Sequence, residues 1–94
     1  MAIKSGAGGN LTSRIADNLG RAIVTQDYAA GAILPFEDAL CAQFGASRTI
    51  LREAVKMLTA KGLLVARQRK GTVVQPESCW NLLDPDVLRW MLER

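Results

Sequence analysis

Four side chains in one short stretch have the type and spacing to grip an anionic polymer: Arg48, Thr49, Arg52 and Lys56. At 100° per residue they share one helix face, centred roughly 120° from an apolar stripe of Leu51, Ala54, Val55 and Leu58. The planar fork of arginine matches O6 and N7 of guanine, which makes Arg48 and Arg52 the candidates for reading bases. Thr49 and the first-turn amides, including that of Ile50, suit phosphate oxygens at the positive end of the helix. The Ile50 side chain offers an apolar contact, as to a thymine methyl. Further on, Arg69, Lys70 and Gly71 form a basic tip in which glycine permits close approach to a groove or backbone.

Charge is concentrated in the same region. Between Ser47 and Gln75 seven basic residues face one acidic residue, a local +6, while five basic and eight acidic residues elsewhere sum to −3. The overall +3 conceals a polarised molecule of the kind that binds nucleic acid, with affinity that should fall steeply with salt. A solvated helix face would account for Arg48 and Arg52 taken alone. The helix cap, tight turn and basic hairpin in register with them favour the binding reading. Glu53, beside this cluster, is expected to pair with a neighbouring arginine.

Other chemistries find little support. The chain has no histidine, which removes the commonest general base and metal ligand. Its nine acids are scattered, with no paired-carboxylate, Cys–His or phosphate-cradling constellation, so neither an enzyme nor a cofactor site is expected. Two unpatterned cysteines and no export signal suggest free thiols in a cytoplasmic setting, with Cys41 a small buried hydrophobe. No apolar run approaches the roughly 20 residues of a membrane span, and no membrane partner is expected.

The elements that must position the basic face are legible in order. Residues 1–9 read as a disordered, Gly-rich leader. Asn10 caps a first helix over about Leu11–Thr25, with Leu11, Ile15, Leu19, Ala22 and Ile23 as its stripe. Gly20 inside it costs about 1 kcal/mol relative to alanine. Ile33-Leu34-Pro35 is extended, and Glu37 and Asp38 suit the start of a short helix over about Phe36–Phe44 that buries Ala39, Leu40 and Phe44. Gly45 ends it, and Ser47 caps the next helix, which runs to Lys61-Gly62: a helix-turn-helix. Leu64–Gln68 and Thr72–Gln75 then form a hairpin. The expected fold is mainly α with a small β-hairpin, a winged helix-turn-helix over residues 10–75. Residues 76–94 read as a linker with a short last helix that opens a separate domain, its Trp80 and Trp90 anchoring against a surface beyond this segment.

The order Gly31-x-x-Leu34-Pro35, Phe44-Gly45-x-Ser47-Arg48-Thr49, Arg52-Glu53-Ala54, Leu58, Gly62-Leu63 and Gly71-Thr72-Val73-Val74 resembles the GntR family of bacterial transcription regulators, in register from about Leu11 to Val74. The tail Trp80-Asn81-x-Leu83-Asp84-x-Asp86-Val87-Leu88-x-Trp90 resembles the FadR-like subgroup, and within it sugar-acid-responsive repressors of the galactonate type. The resemblance implies a cytoplasmic homodimer with one recognition helix per subunit in a palindromic double-stranded operator. It also implies a separate C-terminal domain that binds a metabolite, and often a metal, and releases the DNA. The competing readings are a winged helix that docks proteins or dimerises without DNA, and the N-terminal part of a fused enzyme-like regulator. One departure stands out: where the family usually has Pro-Ser-Glu-Arg, this chain has Pro35-Phe36-Glu37-Asp38. The acid at position 38 should repel a phosphate, giving weaker binding or a shifted operator preference.

Overall fold

The computed structural model describes residues 10–94; the leader expected at residues 1–9 lies outside them. Helix α1 (Leu11–Val24) is followed by α2 (Glu37–Phe44), α3 (Arg48–Ala60), strands β1 (Leu64–Arg67) and β2 (Gly71–Val74), a 3₁₀ turn (Glu77–Cys79) and α4 (Pro85–Glu93). This is the winged helix-turn-helix that the sequence suggests, with a fourth helix packed on it.

Each element has a local cause. The Asn10 side chain accepts from the Ser13 amide at 2.9 Å and starts α1. No side chain caps α2, because Phe36 stands at that position; Glu37 and Asp38 in its first turn favour the positive helix end instead. Gly45 closes α2 with φ 62°, a left-handed conformation that side chains resist. Ser47 Oγ then accepts from the Ile50 amide at 3.2 Å and opens α3.

The core is aliphatic, as the composition requires. Ile15, Leu19 and Ile23 of α1 meet Leu51, Ala54 and Leu58 of α3, with Leu40 of α2 and Leu64 and Val74 of the hairpin closing the space. Ala39, expected inside, is exposed: Leu40 takes the buried position on so short a helix, with Cys41 and Phe44 half-buried beside it. The hairpin pairs antiparallel, Leu64 with Val74 and Arg67 with Gly71. A third extended piece joins it: Ile33 bridges Val73, the Leu34 amide donates to the Thr72 carbonyl at 2.9 Å, and the Val74 amide to that of Ala32 at 2.8 Å. The wing is thereby fastened to the segment that leads into α2.

Both tryptophans depart from expectation. Instead of pointing to another surface, Trp80 and Trp90 are buried in this chain's own core. Trp80 Nε1 donates to the Gln75 carbonyl at 3.1 Å. Trp90 lies across Gly20 of α1 and donates from Nε1 to Asp17 Oδ1 at 2.8 Å. Gly20 is therefore the notch that lets α4 dock, since a methyl there would fall inside the Trp90 ring. Lys61, at the end of α3, completes the dock through Asp84 at 3.0 Å and Asp86 at 2.9 Å at the start of α4.

Candidate nucleic-acid interface

Burial of Leu51, Ala54 and Leu58 against α1 turns the opposite face of α3 outward. Arg48, Thr49, Arg52 and Lys56 are accordingly exposed, the Arg48 and Arg52 side chains at 62% and 64%. The structure gathers all four on one face. Ile50 behaves differently: its side chain is half-buried against the core, and its amide already donates to Ser47 Oγ. That amide is not open to a phosphate oxygen, contrary to expectation, because the cap that starts the helix consumes it. The amides of Arg48 and Thr49 precede the first intrahelical bond and keep no helical acceptor.

The two arginines are held by the two acids of α2. Arg52 grips Glu37 side-on, Nε to Oε2 at 2.7 Å and Nη2 to Oε1 at 3.0 Å. Arg48 donates from Nη2 to Asp38 Oδ1 at 2.7 Å, and its Nε lies 3.8 Å from Glu37. Hydrogen bonding from Arg52, then the nearby positive charges of Arg52 and Arg48, hold the Glu37 carboxyl below its ordinary value. Donating to the Glu37 carboxylate correspondingly holds the Arg52 guanidinium above its ordinary value. Asp38 is thus not the bare acid the sequence suggests; Arg48 neutralises it across the helix-turn-helix. Glu53 pairs with Lys56 at 3.6 Å rather than with an arginine, because that lysine lies three residues along the same helix.

Glu37 is the residue that sequence reasoning missed. Its place in the first turn of α2 explains it as a helix-dipole acid, and a contact to a residue fifteen positions away leaves no local signature.

The wing supplies the second group of cations. Arg67, Arg69, Lys70 and Gly71 are all exposed, and the Lys70 amide closes the turn onto the Arg67 carbonyl at 3.1 Å. Gly71 turns at φ 104°, as its type allows, but Arg69 adopts φ 70° with a full side chain. A left-handed arginine at an exposed tip is backbone strain retained at a basic position.

All the ion pairs of this face are solvent-exposed, so they are screened and exchange readily for other anions. Arginine forks beside a helix N-terminus, flanked by a basic hairpin, can meet phosphate oxygens and guanine edges. A cleft of about 520 Å³ between α1, the end of α3 and α4 shares no residue with this face and carries charges of both signs. Among the described residues no cluster of three or more acids and cysteines is arranged to hold a metal, and no helix is long and apolar enough to cross a membrane.

Comparison with known proteins agrees with this geometry. The sequence profile of the bacterial regulatory proteins of the gntR family matches residues 11–74. The HTH-type transcriptional regulator YieP of Escherichia coli K12 is 49% identical over 83 residues, 88% of this chain and 36% of that protein. The galactonate operon transcriptional repressor of the same organism is 45% identical over 84 residues, 89% of this chain and 37% of its own length. The chain therefore spans little more than a third of these relatives. Among solved structures, the DNA-binding domain of AraR in complex with operator ORR3 superposes with a TM-score of 0.65 at 30% identity, covering 68% of this chain and 77% of that one. A GntR-family regulator from Pseudomonas syringae pv. tomato DC3000 superposes with a TM-score of 0.67 at 32% identity, covering 77% of this chain and 30% of that one.

Proposed function

The chain belongs to the GntR family of bacterial regulatory proteins, and from that premise we propose that it is the sequence-specific DNA-binding module of a metabolite-responsive transcription regulator. The observation that carries the reading is the exposed N-terminal face of α3, where Arg48 and Arg52 stand clear of the core beside the basic wing. Arg48 and Arg52 read base edges in a major groove. Thr49 and Lys56 hold phosphates, Ile50 adds apolar contact at the rim, and Arg69, Lys70 and Gly71 enter the adjoining minor groove or follow the backbone.

Two such modules, one from each subunit of a homodimer, bind the halves of a palindromic operator in the bacterial cytoplasm. Repression is the favoured outcome, because relatives of this chain are named as repressors. No catalytic step is assigned to these residues, and the whole regulator senses its metabolite, with any metal, elsewhere in its length. The AraR domain bound to its operator supports DNA as the partner of this face over a protein.

Selection of binding sites from a randomised duplex pool, with an Arg48→Ala/Arg52→Ala control, tests the proposal. Enrichment of a short palindrome by the natural chain and its loss in the double variant is the expected result. Salt-sensitive binding without any enriched sequence would contradict base reading, and no binding at low salt would contradict DNA as the partner.

A further inference from the structure

Adjacent acids at the start of α2 are used in different ways. Glu37 spends both carboxylate oxygens on Arg52 and fixes that side chain from the side. Asp38 gives only Oδ1, to Arg48 Nη2; among the described residues Asp38 Oδ2 and Arg48 Nη1 have no protein partner. The Asp38 side chain is 78% exposed, so its free oxygen is open to a partner from outside the chain.

We propose that Asp38 is a specificity-determining residue: it orients the Arg48 guanidinium toward a guanine and itself selects a cytosine at a neighbouring position of the operator half-site. This rests on the DNA-reading function proposed above. An ionised carboxylate only accepts hydrogen bonds, whereas arginine only donates them. In a major groove the phosphates repel the acid, and guanine O6 and N7 and thymine O4 are acceptors like itself. The remaining partners are the exocyclic amines of cytosine and adenine. Adenine carries the N7 acceptor beside its amine, which suits an amide, while cytosine presents its amine without an adjacent acceptor. Asp38 and Arg48 therefore form one reading unit, the arginine supplying donors and the acid supplying an acceptor, each holding the other in place. Glu37, with both oxygens committed, is a positioning residue for Arg52.

Base preferences of the natural chain and of Asp38→Ala, Asp38→Asn and Arg48→Ala, from the same randomised duplex pool at one salt concentration, decide the matter. Circular dichroism confirms that each variant is folded. The natural chain should prefer cytosine about tenfold or more at one position per half-site, next to a guanine whose selection depends on Arg48. Asp38→Ala should bring that cytosine preference to about twofold or less and weaken the neighbouring guanine preference, while the rest of the half-site persists. Asp38→Asn should move the preference toward adenine. If Asp38→Ala keeps every base preference and changes affinity alike for all sequences, Asp38 is only a local charge and the proposal fails. A natural chain with no sequence preference would instead defeat the DNA-reading function itself, and this proposal with it.

Discussion

Two of this domain's clusters of charge pairs lie at opposite ends of α3, and they share chemistry but differ in environment. At the end of α3, Lys61 is 12% exposed and joins Asp84, 18% exposed, with Asp86 completing the contact. At the start of the same helix, exposed Arg48 and Arg52 meet an exposed Asp38 and a half-buried Glu37. In the first cluster a cation at a helix C-terminus faces anions at a helix N-terminus, and Asp84 also accepts from the amides of Asp86 at 2.9 Å and Val87 at 3.2 Å. Burial alone would push the Lys61 ammonium down; the hydrogen bonds to Asp86 and Asp84 outweigh it and hold it above the ordinary lysine value. Burial would likewise raise Asp84, yet the bonds from Lys61 and the two amides hold it low. One helix thus carries a shielded charge cluster that locks the fold at its end and a more accessible one at its beginning. Solvent access is what separates the two ends of the helix.

The contrast breaks first at the buried end. Lys61→Met should lower unfolding stability by about 2–3 kcal/mol, since it strands a half-buried carboxylate; the range for fully buried pairs is higher, and partial exposure reduces it. Chemical denaturation measures this. The pH dependence follows from the same contacts. Asp84 and Asp17 are both held low, so the stability they contribute is whole above about pH 4 and is lost as pH falls through their lower native values. Lys61 has the opposite sign: its contribution persists up to the ordinary lysine value of 10.5 and is lost as pH rises beyond it. Thermal scans from pH 5 to 2 should show a shallower acid loss for Lys61→Met than for the natural chain.

Gly20→Ala sharpens the comparison at the other side of the dock. Helix propensity alone would make it stabilising by about 1 kcal/mol. The Trp90 ring fills the space the methyl needs, so the expected outcome is a net loss of about 1–2 kcal/mol, read from the same denaturation curves. The smallest effect belongs to the open side. Arg69→Gly relieves a left-handed backbone and should stabilise by about 1 kcal/mol, while the slope of binding affinity against salt falls by about one counterion. Stability gained and DNA binding weakened by one substitution would mark Arg69 as kept for its charge.

Much of the fold is legible because its signals are local. The Ser47 cap, Gly45 stop, stripe of Leu51, Ala54 and Leu58 and wing glycine each act within a turn or two, and the elements fall within a residue or two of their expected bounds. What escapes the sequence lies in contacts between distant residues. Gly20 reads as a flaw in α1 until Trp90, 70 residues later, is seen in its notch. Asp38 reads as an uncompensated acid until α2 and α3 are brought together at their starts. Ile33 reads as part of a short extended segment, and its pairing with Val73 follows only once the wing folds back. The basic face itself was visible from residue types and helical spacing; the carboxylates that hold it were not.

The most direct test follows both clusters at once. Side-chain ¹⁵N signals of Arg48, Arg52 and Lys61, with the Trp90 indole, should be recorded as the chain is titrated with the palindromic duplex it selects. Large shifts at Arg48 and Arg52 with Lys61 and Trp90 unchanged are predicted, as the two arginine forks take up DNA at one end of α3 while the other stays locked. Shifts at Lys61 and Trp90 with Arg48 and Arg52 unmoved would contradict the account.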